Sequence, residues 1–537
     1  MRNPAHLYAV LFLLLLIPVA ACDRDKERDS ARRTPSTPLR INLATEPPTL
    51  DWTLARDYTS ITVIINFMQG LTCFEEGFVP EPCLAESWEI SDDKKTITFK
   101  IREGVVWSDG VPLKAGDFEY SWKRLLKPET AAGYAYFLYD VEGARKFNTG
   151  VVKSPDIVGV NAVDDRTLVV RLKAPASYFL SLLTFSSTFP LRQDIVEKYG
   201  IEWTKPENIV SIGPYNLVEW RHHERLTLLK NPKYWDAEAT LEQVVMIMSG
   251  NPSSALALYE SGELDFLDGK DIPTLEVPRL RKLPDFKKNA QFRGNYIGFN
   301  TKKPPFNNKL VRKAFSAAID RSAVVELIQG AGIPSTSWIP KGMLGHNPSI
   351  GIDFDPERAR KWLAEAGYPG GKGLPEIWFL YPDLGSNPII AVALQSMWKK
   401  WLGAEVKLNN QEWKVYLSTL KTDPPQIYRA GWGADYPDPH NFMNLFECKS
   451  GNNHTRWCSP KFDSLIEAAA REIDPAKRTP LYDEAQRLLT ETDVAIAPFF
   501  TSIQYSMIKP YVRGLEINEL SLIFLDKVTY KDSPNKD

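Results

Sequence analysis

The chain has 537 residues, of which 43% are hydrophobic and 25% are charged, so it can bury a large core divided among several domains. Its formal net charge of -2 excludes the general polyanion-binding surface that nucleic-acid-binding proteins carry. We therefore expect a folded globular protein with no nucleic-acid partner.

Residues 1–21 have the parts of a secretory signal peptide: a positive start, a short apolar run and small residues before Cys22. The run is too short for a membrane span, and no later stretch approaches about 20 apolar residues. Its ending, VAAC, resembles the bacterial lipoprotein cleavage box, whose cysteine becomes the lipidated N-terminus. The box predicts a lipid anchor at Cys22 on the periplasmic side of the bacterial inner membrane. An ordinary signal peptide with an incidental cysteine is the alternative.

Four more cysteines follow Cys22, and they are Cys73, Cys83, Cys448 and Cys458. An even number in an oxidising compartment argues for two disulfides, for which three pairings exist. We favour Cys73 with Cys83 and Cys448 with Cys458, because each pair flanks a short loop that contains proline or glycine. A zinc site is the alternative, although no Cys-x-x-Cys spacing occurs.

The next segment, 22–38, is charged and then carries proline, serine and threonine, which predicts a disordered tether. Folded sequence begins at LRINLA, whose alternation predicts a strand, as do TITFKI, TLVVRL and RLTLLK. Amphipathic helices are predicted at VRKAFSAAIDRSAVVELIQ and at SPKFDSLIEAAAREI. Ser459 is expected to cap the latter helix, with Pro460 in its first turn. This mixture predicts an α/β protein.

The usual signatures of catalysis do not occur, since the sequence has no GxSxG, HExxH, Walker A or GxGxxG pattern. His222 and His223 are the only adjacent histidines. On a strand they would face opposite ways and could not share a metal without a turn, so we interpret them as surface residues. We expect no catalytic residue, metal or cofactor. A secreted hydrolase with carboxylates brought together by the fold is the weaker alternative.

The stretch RAGWGADYPDP places a cation and a carboxylate around two glycines. As an extended segment it would put Arg429, Gly431, Gly433 and Asp435 on one face, which the glycines clear for another backbone. The charged ends, leaning inward, would be on the order of 10 Å apart, close to the length of a tripeptide. A zwitterion would fit, with its ammonium at Asp435 and its carboxylate at Arg429. An internal salt-bridged strand end is the alternative.

Five segments together resemble the extracytoplasmic oligopeptide-binding proteins of ABC importers, in the peptide and nickel class of solute-binding proteins, family 5. They are EPPTLD, LAESWEISDDKKTITFKIREGVVWSDGVPLKAGDFEYSWKR, GNYIGFNTKKPPFNNKLVRKAFSAAIDR, NQEWKVYL and RAGWGADYPDP. They span nearly all of the mature chain in family order. The resemblance implies a two-lobed periplasmic-binding-protein (Venus flytrap) clamp with an additional domain, which closes on its ligand around a hinge.

By the same resemblance the chain divides into three domains. Domain I would combine 39–70, 190–290 and 500–537, the extra domain II would be 71–189, and domain III, the second lobe, would be 291–499.

The implied function is that of a monomeric, lipid-anchored receptor, without enzymatic activity, that captures short peptides. It would deliver them to the permease subunits of an ABC transporter, whose ATPase lies in separate chains. The same fold also suits other ligands, such as a cell-wall peptide, a sugar or a metal chelate. A chaperone-like role for unfolded chains is a further alternative.

The resemblance also implies residue roles. Asp435 would bind the α-ammonium of the peptide, and Arg429 the carboxylate of a short peptide. The backbone from Gly431 to Gly433 would bond the peptide main chain, as would a segment of the other lobe. That segment consists of Arg56, Asp57 and Tyr58.

Three aromatic residues complete the predicted site, and at two positions this chain differs from the family pattern. Trp413 and Trp432 match pocket aromatics, and Tyr134 matches a tyrosine beside the ligand. Asn387 stands where a close relative has a second carboxylate-binding group, a histidine, which leaves the peptide length open. Gly433 replaces a cysteine that is disulfide-bonded there, so the cysteines of this chain must pair differently.

Overall fold

The computed structural model describes residues 33–74, 78–237 and 239–531. The predicted signal peptide, Cys22 and most of the predicted tether lie outside these residues. Within the described ranges, no helix combines the length and the apolar content that a membrane crossing requires.

Strands and helices alternate through the described part, and the four segments predicted as strands form β1, β5, β7 and β9 in the numbering below. The strands are β1 (Leu39–Asn42), β2 (Thr72–Phe74), β3 (Pro80–Pro82), β4 (Ala85–Ile90), β5 (Thr96–Ile101), β6 (Val160–Asp164), β7 (Thr167–Arg171), β8 (Tyr215–Arg221), β9 (Arg225–Lys230), β10 (Gln243–Ile247), β11 (Phe266–Asp268), β12 (Phe286–Phe299), β13 (Gly332–Pro334), β14 (Ile377–Pro382), β15 (Val406–Gln411), β16 (Ile427–Gly433), β17 (Ile496–Ile508), β18 (Val512–Arg513) and β19 (Thr529–Tyr530). The α-helices are α1 (Tyr58–Ile64), α2 (Ala115–Leu126), α3 (Ala144–Asn148), α4 (Phe179–Leu182), α5 (Gln193–Tyr199), α6 (Pro252–Glu260), α7 (Val277–Leu280), α8 (Lys309–Ala317), α9 (Arg321–Leu327), α10 (Pro356–Glu365), α11 (Asn387–Leu402), α12 (Trp413–Thr422), α13 (His440–Met443), α14 (Pro460–Arg471) and α15 (Pro475–Arg487).

One mixed sheet runs through both lobes of the clamp. Its strand order is β15-β14-β16-β12-β17-β11-β1-β10-β9-β8, and β13 pairs with β17 beside this path. We call the part around β1 and β8–β11 the first lobe, and the part around β13–β16 the second lobe. Each lobe buries apolar clusters of its own against its strands.

The long strands β12 and β17 join the two lobes. The beginning of β12 pairs with the end of β17, next to β11, whereas the end of β12 also pairs with β16. The register between β12 and β17 shifts between Ala290 and Gly294. An interrupted ladder in the only strands shared by both lobes of the described sheet is a suitable hinge for a clamp.

A separate four-stranded antiparallel sheet, in the order β4-β5-β7-β6, forms the centre of what we call the extra domain. Helix α2 buries Phe118 and Trp122 in the same core. The hairpin β2–β3 carries one disulfide, between Cys73 and Cys83, and the second lobe carries the other, between Cys448 and Cys458. These are the favoured pairings, and the structure leaves no place for the alternative zinc site at these cysteines.

The helix ends agree with the predictions made from local sequence signals, except for one helix. The Ser459 side chain accepts from the Phe462 backbone N–H, and Pro460 lies in the first turn, as predicted. The predicted single helix VRKAFSAAIDRSAVVELIQ is wrong, because it divides into α8 and α9. Asp320 lies between them and caps α9 by accepting from the Ala323 N–H at 3.0 Å. A good N-cap residue inside an amphipathic pattern thus starts a new helix.

Candidate functional site

The glycines of β16 lie on an open face of the second lobe. In the antiparallel pairing of β12 with β16, Gly431 is opposite Asn295 and Gly433 is opposite Arg293. Residues directly opposite each other share one face, and side chains two apart along a strand do so too. Arg429, Gly431 and Gly433 therefore share one face, as predicted, together with Arg293 and Asn295. The predicted extension of this strand face to Asp435 is wrong, because the strand ends at Gly433 and Asp435 lies in a bend. The glycines leave main chain partly exposed between the charged side chains.

Asp435 lies just beyond the end of β16 as a half-buried carboxylate. Its backbone N–H donates to Asn441 Oδ1 at 3.1 Å, and its Oδ1 accepts from the Tyr134 hydroxyl at 3.5 Å. In the described part of the chain, no basic side chain forms an ion pair with it. Burial raises its pKa to about 6, although hydrogen bonds from Asn441 and Tyr134 act in the opposite direction. A cation from outside would stabilise this carboxylate.

Arg429 is a half-buried cation on the open face. Its Nη2 donates to Asn295 Oδ1 at 2.6 Å, while its Nε is buried without a hydrogen-bond partner. Burial lowers its pKa to about 10, and the neighbouring Arg293 acts in the same direction. No acid among the described residues pairs with Arg429, so the alternative of an internal salt-bridged strand end is not what the structure contains.

The extra domain and the first lobe approach Asp435 from the other side. Tyr134 packs among aromatic rings of the extra domain and points its hydroxyl at Asp435. The Arg56 side chain lies against Gly133, where an added Cβ would come within 2.3 Å of Arg56 Nε. Gly133 therefore has no room for a side chain. Because Gly133 precedes Tyr134, this contact places the Arg56 side chain beside Tyr134.

The segment after Arg56 leads into a capped helix. Asp57 has extended backbone and caps α1, accepting from the Ser60 N–H at 2.9 Å and the Ser60 hydroxyl at 2.7 Å. Tyr58 is the first residue of α1, with Lys270 Nζ 4.9 Å from its ring centre. Main-chain N–H groups in a first helical turn have no helical acceptor, so part of this segment keeps donors available.

Three predicted site residues follow the ends of parallel strands. Strands β14, β15 and β16 run parallel, so their carboxyl ends lie at one edge of the sheet. Asn387 begins α11 after β14, Trp413 begins α12 after β15, and Asp435 follows β16. This edge is where open α/β sheets bind ligands. In the described structure no hydrogen bond or ion pair joins Asn387 or Trp413 to Arg429 or Asp435.

The aromatic and amide side chains differ in their surroundings. Trp413 is 46% exposed and its ring stacks on Tyr416 at 5.6 Å, whereas Asn387 is only 8% exposed. Trp432 lies on the other face of β16 from Arg429, where it packs against the core of the second lobe and donates to Asn441 Oδ1 at 2.9 Å. The structure does not bring Trp432 to the open face.

Three residues of this region were not predicted from the sequence. Asn441 holds the loop of Asp435, Asn295 holds Arg429, and Arg293 faces Gly433 across the strand pair. Asn295 and Arg293 reach the site only through the β12–β16 pairing, which no local pattern reveals.

The adjacent histidines, His222 and His223, lie far from this face along the chain. Their local structure differs from the strand considered in the sequence analysis. They are exposed, as interpreted, but they lie in the turn between β8 and β9 and not on a strand. Both rings therefore reach one carboxylate, with Nδ1 of His222 at 2.5 Å and Nδ1 of His223 at 2.8 Å from the oxygens of Glu46. No cluster of metal-ligating side chains occurs in the residues that the structure describes.

A clamp of two lobes on a shared hinge, with an uncovered strand face between unpaired charges, defines a solute-binding protein. Residues 79–454 match the family model described as bacterial extracellular solute-binding proteins, family 5 Middle. The chain belongs to this family, whose members are binding receptors without enzymatic activity.

Similar proteins of known sequence bind oligopeptides. The chain is 36% identical over 511 residues to the oligopeptide-binding protein OppA of Bacillus subtilis, covering 91% of this chain and 93% of that protein. It is also 36% identical over 461 residues to the periplasmic oligopeptide-binding protein OppA of Escherichia coli, covering 84% of each.

Solved structures give the same fold. The unliganded open form of the periplasmic murein tripeptide-binding protein MppA superposes with a TM-score of 0.83 at 32% identity, covering 92% of this chain and 97% of that one. A further structure of MppA, from Escherichia coli, gives 0.74 at 31% identity, covering 92% and 98%. Haemophilus influenzae OppA in complex with RPPGFSPFR gives 0.72 at 31%, covering 93% and 99%.

Proposed function

We propose that this chain captures short peptides by their free amino end, in the space between its lobes, and delivers them to an ABC import permease. The permease and its ATPase would be separate chains, and the receptor would act as a monomer. The observation that carries the proposal is the half-buried carboxylate of Asp435, which has no cationic partner in the described structure. A charge that has lost water is stabilised when a ligand supplies its partner.

The remaining site residues are assigned to the rest of a peptide. The peptide main chain would bond the uncovered backbone at Gly431 and Gly433, as an added strand does. The Arg429 guanidinium, held by Asn295, would take the carboxylate of a short peptide. Main-chain bonding is indifferent to side chains, so one receptor would accept many sequences.

Closure of the lobes would complete the site. Arg56, Asp57, Tyr58 and Tyr134 come from the first lobe and the extra domain, whereas Asp435 comes from the second lobe. Tyr134 already reaches Asp435, and a hinge at β12 and β17 would bring the other groups toward this pair over the ligand and exclude water. Trp413 and Asn387, at the same sheet edge, would border the peptide farther along.

The location of the receptor and its division into domains are also part of the proposal. Lipid on Cys22 would tether the chain to the periplasmic side of the inner membrane, and 22–38 would be the tether. The domain boundaries are proposed as 39–70 with 190–290 and 500–537, then 71–189, and 291–499. The position of the register shift near Ala290 supports the boundary between the lobes.

Peptide affinity is expected to fall as the pH drops through 6. Asp435 has a pKa of about 6 in the unliganded protein, and a bound ammonium favours its ionised form. Binding requires the ionised form of Asp435. The affinity should therefore decrease about tenfold between pH 7 and pH 5, as this carboxylate becomes protonated. The peptide termini do not titrate appreciably in this window, since their pKa values are roughly 3.5 and 8. Calorimetry of a tripeptide at both pH values measures the effect, and Asp435→Asn should flatten the profile.

Native mass spectrometry of protein purified without refolding tests the proposal against the other ligands of this fold. We expect co-purified masses of short peptides, which are released when the protein is denatured. The mass of a sugar or of a metal chelate would contradict the proposal. A cell-wall peptide is the second candidate, favoured by the similarity to MppA, and crosslinked or D-amino-acid masses would identify it. Appearance of peptide fragments during incubation would instead indicate a hydrolase.

A further inference from the structure

Arg293 extends over the bare glycine of the strand beside it. Its Nη1 lies 3.5 Å from the place that a Cβ on residue 433 would occupy. Its neighbours along β12, Phe292 and Gly294, are buried on the opposite face. The Arg293 side chain is itself exposed, on the same open face as Arg429. A long cation thus borders the space that Gly433 leaves.

The open face carries more cationic than anionic side chains. Arg293 and Arg429 are both cations, and neither forms an ion pair with an acid in residues 33–74, 78–237 and 239–531. The surrounding protein partly desolvates the Arg293 guanidinium and lowers its pKa, with no carboxylate acting against it, although the residue keeps contact with solvent. On the second lobe, Asp435 is the acid of this site, while Asp57 of the first lobe is engaged in capping α1. A zwitterionic peptide brings one charge of each sign, so one guanidinium would still lack a partner.

We propose that Arg293 is a specificity-determining residue that recognises a second carboxylate of the ligand, such as a glutamate or aspartate side chain near the amino end of a peptide. This inference rests on the proposed function, because it requires the peptide to lie along β16. Gly433 is two residues from Asp435, which places Arg293 beside the first or second residue of such a peptide. A guanidinium binds a carboxylate through two parallel hydrogen bonds.

The expected specificity is a difference between side chains of opposite charge. A carboxylate near Arg293 would gain a partner in a site that closure shields from water. A neutral side chain would leave Arg293 without an ion pair, as it is among the described residues of the unliganded protein. A lysine side chain would be repelled by two guanidiniums, which is discrimination by unfavourable contact. The receptor would therefore bind many peptides but rank them by charge.

Calorimetry with matched peptides tests this inference. The peptides are Glu-Ala-Ala and Ala-Glu-Ala, each with its glutamine and lysine counterparts. For one of the two positions we expect the unmodified protein to bind the glutamate peptide about tenfold to a hundredfold more tightly than the glutamine peptide. Arg293→Gln should reduce that ratio to about threefold or less, while glutamine peptides keep their affinity.

Two further variants control for charge and geometry. Arg360→Gln removes the same charge from the exposed surface of α10, away from β16, and should leave the ratio unchanged. Arg293→Lys keeps the charge without the planar fork, so it should retain part of the preference. Neutral peptides that bind Arg293→Gln as tightly as the unmodified protein show that the variant is folded.

The outcomes separate this inference from the proposed function. Equal affinity of the unmodified protein for glutamate and glutamine peptides at both positions would overturn the role of Arg293 alone. A preference that persists in Arg293→Gln would do the same. Failure of every peptide to bind the unmodified protein would overturn both the inference and the peptide receptor on which it rests.

Discussion

Asp435→Ala is expected to raise the dissociation constant of a free tripeptide by about 100-fold to 10,000-fold. The pair formed by Asp435 and the ligand ammonium adds little net energy, since both lose water. Removing one partner, however, leaves the other buried and unpaired, at a cost of about 3 to 5 kcal/mol. Isothermal calorimetry at pH 7 measures the loss directly.

The matched control is an acid away from the cleft. Asp92 is exposed on the extra domain, and Asp92→Ala removes the same charge, so its peptide affinity should equal that of the unmodified protein. Unchanged affinity of Asp435→Ala would remove this carboxylate from the site. Equal losses in both variants would point to net charge as the cause.

Arg478→Met is expected to lower the free energy of unfolding by about 3 to 5 kcal/mol. Arg478 holds Asp438 through two hydrogen bonds, each of 2.9 Å, and both residues are 5% exposed. Asp438 lies three residues after Asp435, so this pair fixes the end of the loop that carries the candidate ammonium site. Without Arg478, Asp438 would stay buried as an unpaired charge.

Urea denaturation measures that change, and the same helix supplies its control. Arg487 forms an exposed pair with Glu491, one helical turn farther along, at 3.2 Å. Arg487→Met should change the free energy of unfolding by about 0.5 kcal/mol or less, because such pairs are solvated. Equal destabilisation by both substitutions would contradict the importance given to the buried pair.

Much of the candidate site was predictable because its signals are local. The alternation along Arg429, Gly431 and Gly433 depends only on strand geometry, and the structure confirms that they share a face. The disulfides were predictable for the same reason, since each closes a loop within one short stretch. Caps such as Ser459 act within one turn of their own helix.

The remaining features depend on contacts between distant segments. Asn295 and Arg293 reach β16 through a strand register, and the hydroxyl of Tyr134 reaches Asp435 across 301 residues of sequence. The break at Asp320 was missed because the apolar period continues through it. The turn at His222 was missed because a positive-φ residue, His223, followed a strand-like pattern without a glycine.

One tripeptide with a free or an N-acetylated amino end tests the central claim most directly. We expect the free form to bind the unmodified protein about a hundredfold or more tightly than the acetylated form, since only the free form brings a cation to Asp435. In Asp435→Ala this preference should be lost or reversed, because the free form now brings the unpaired charge and the acetylated form brings none. Equal affinity of both forms for the unmodified protein would contradict the claim that this receptor holds peptides by their amino end.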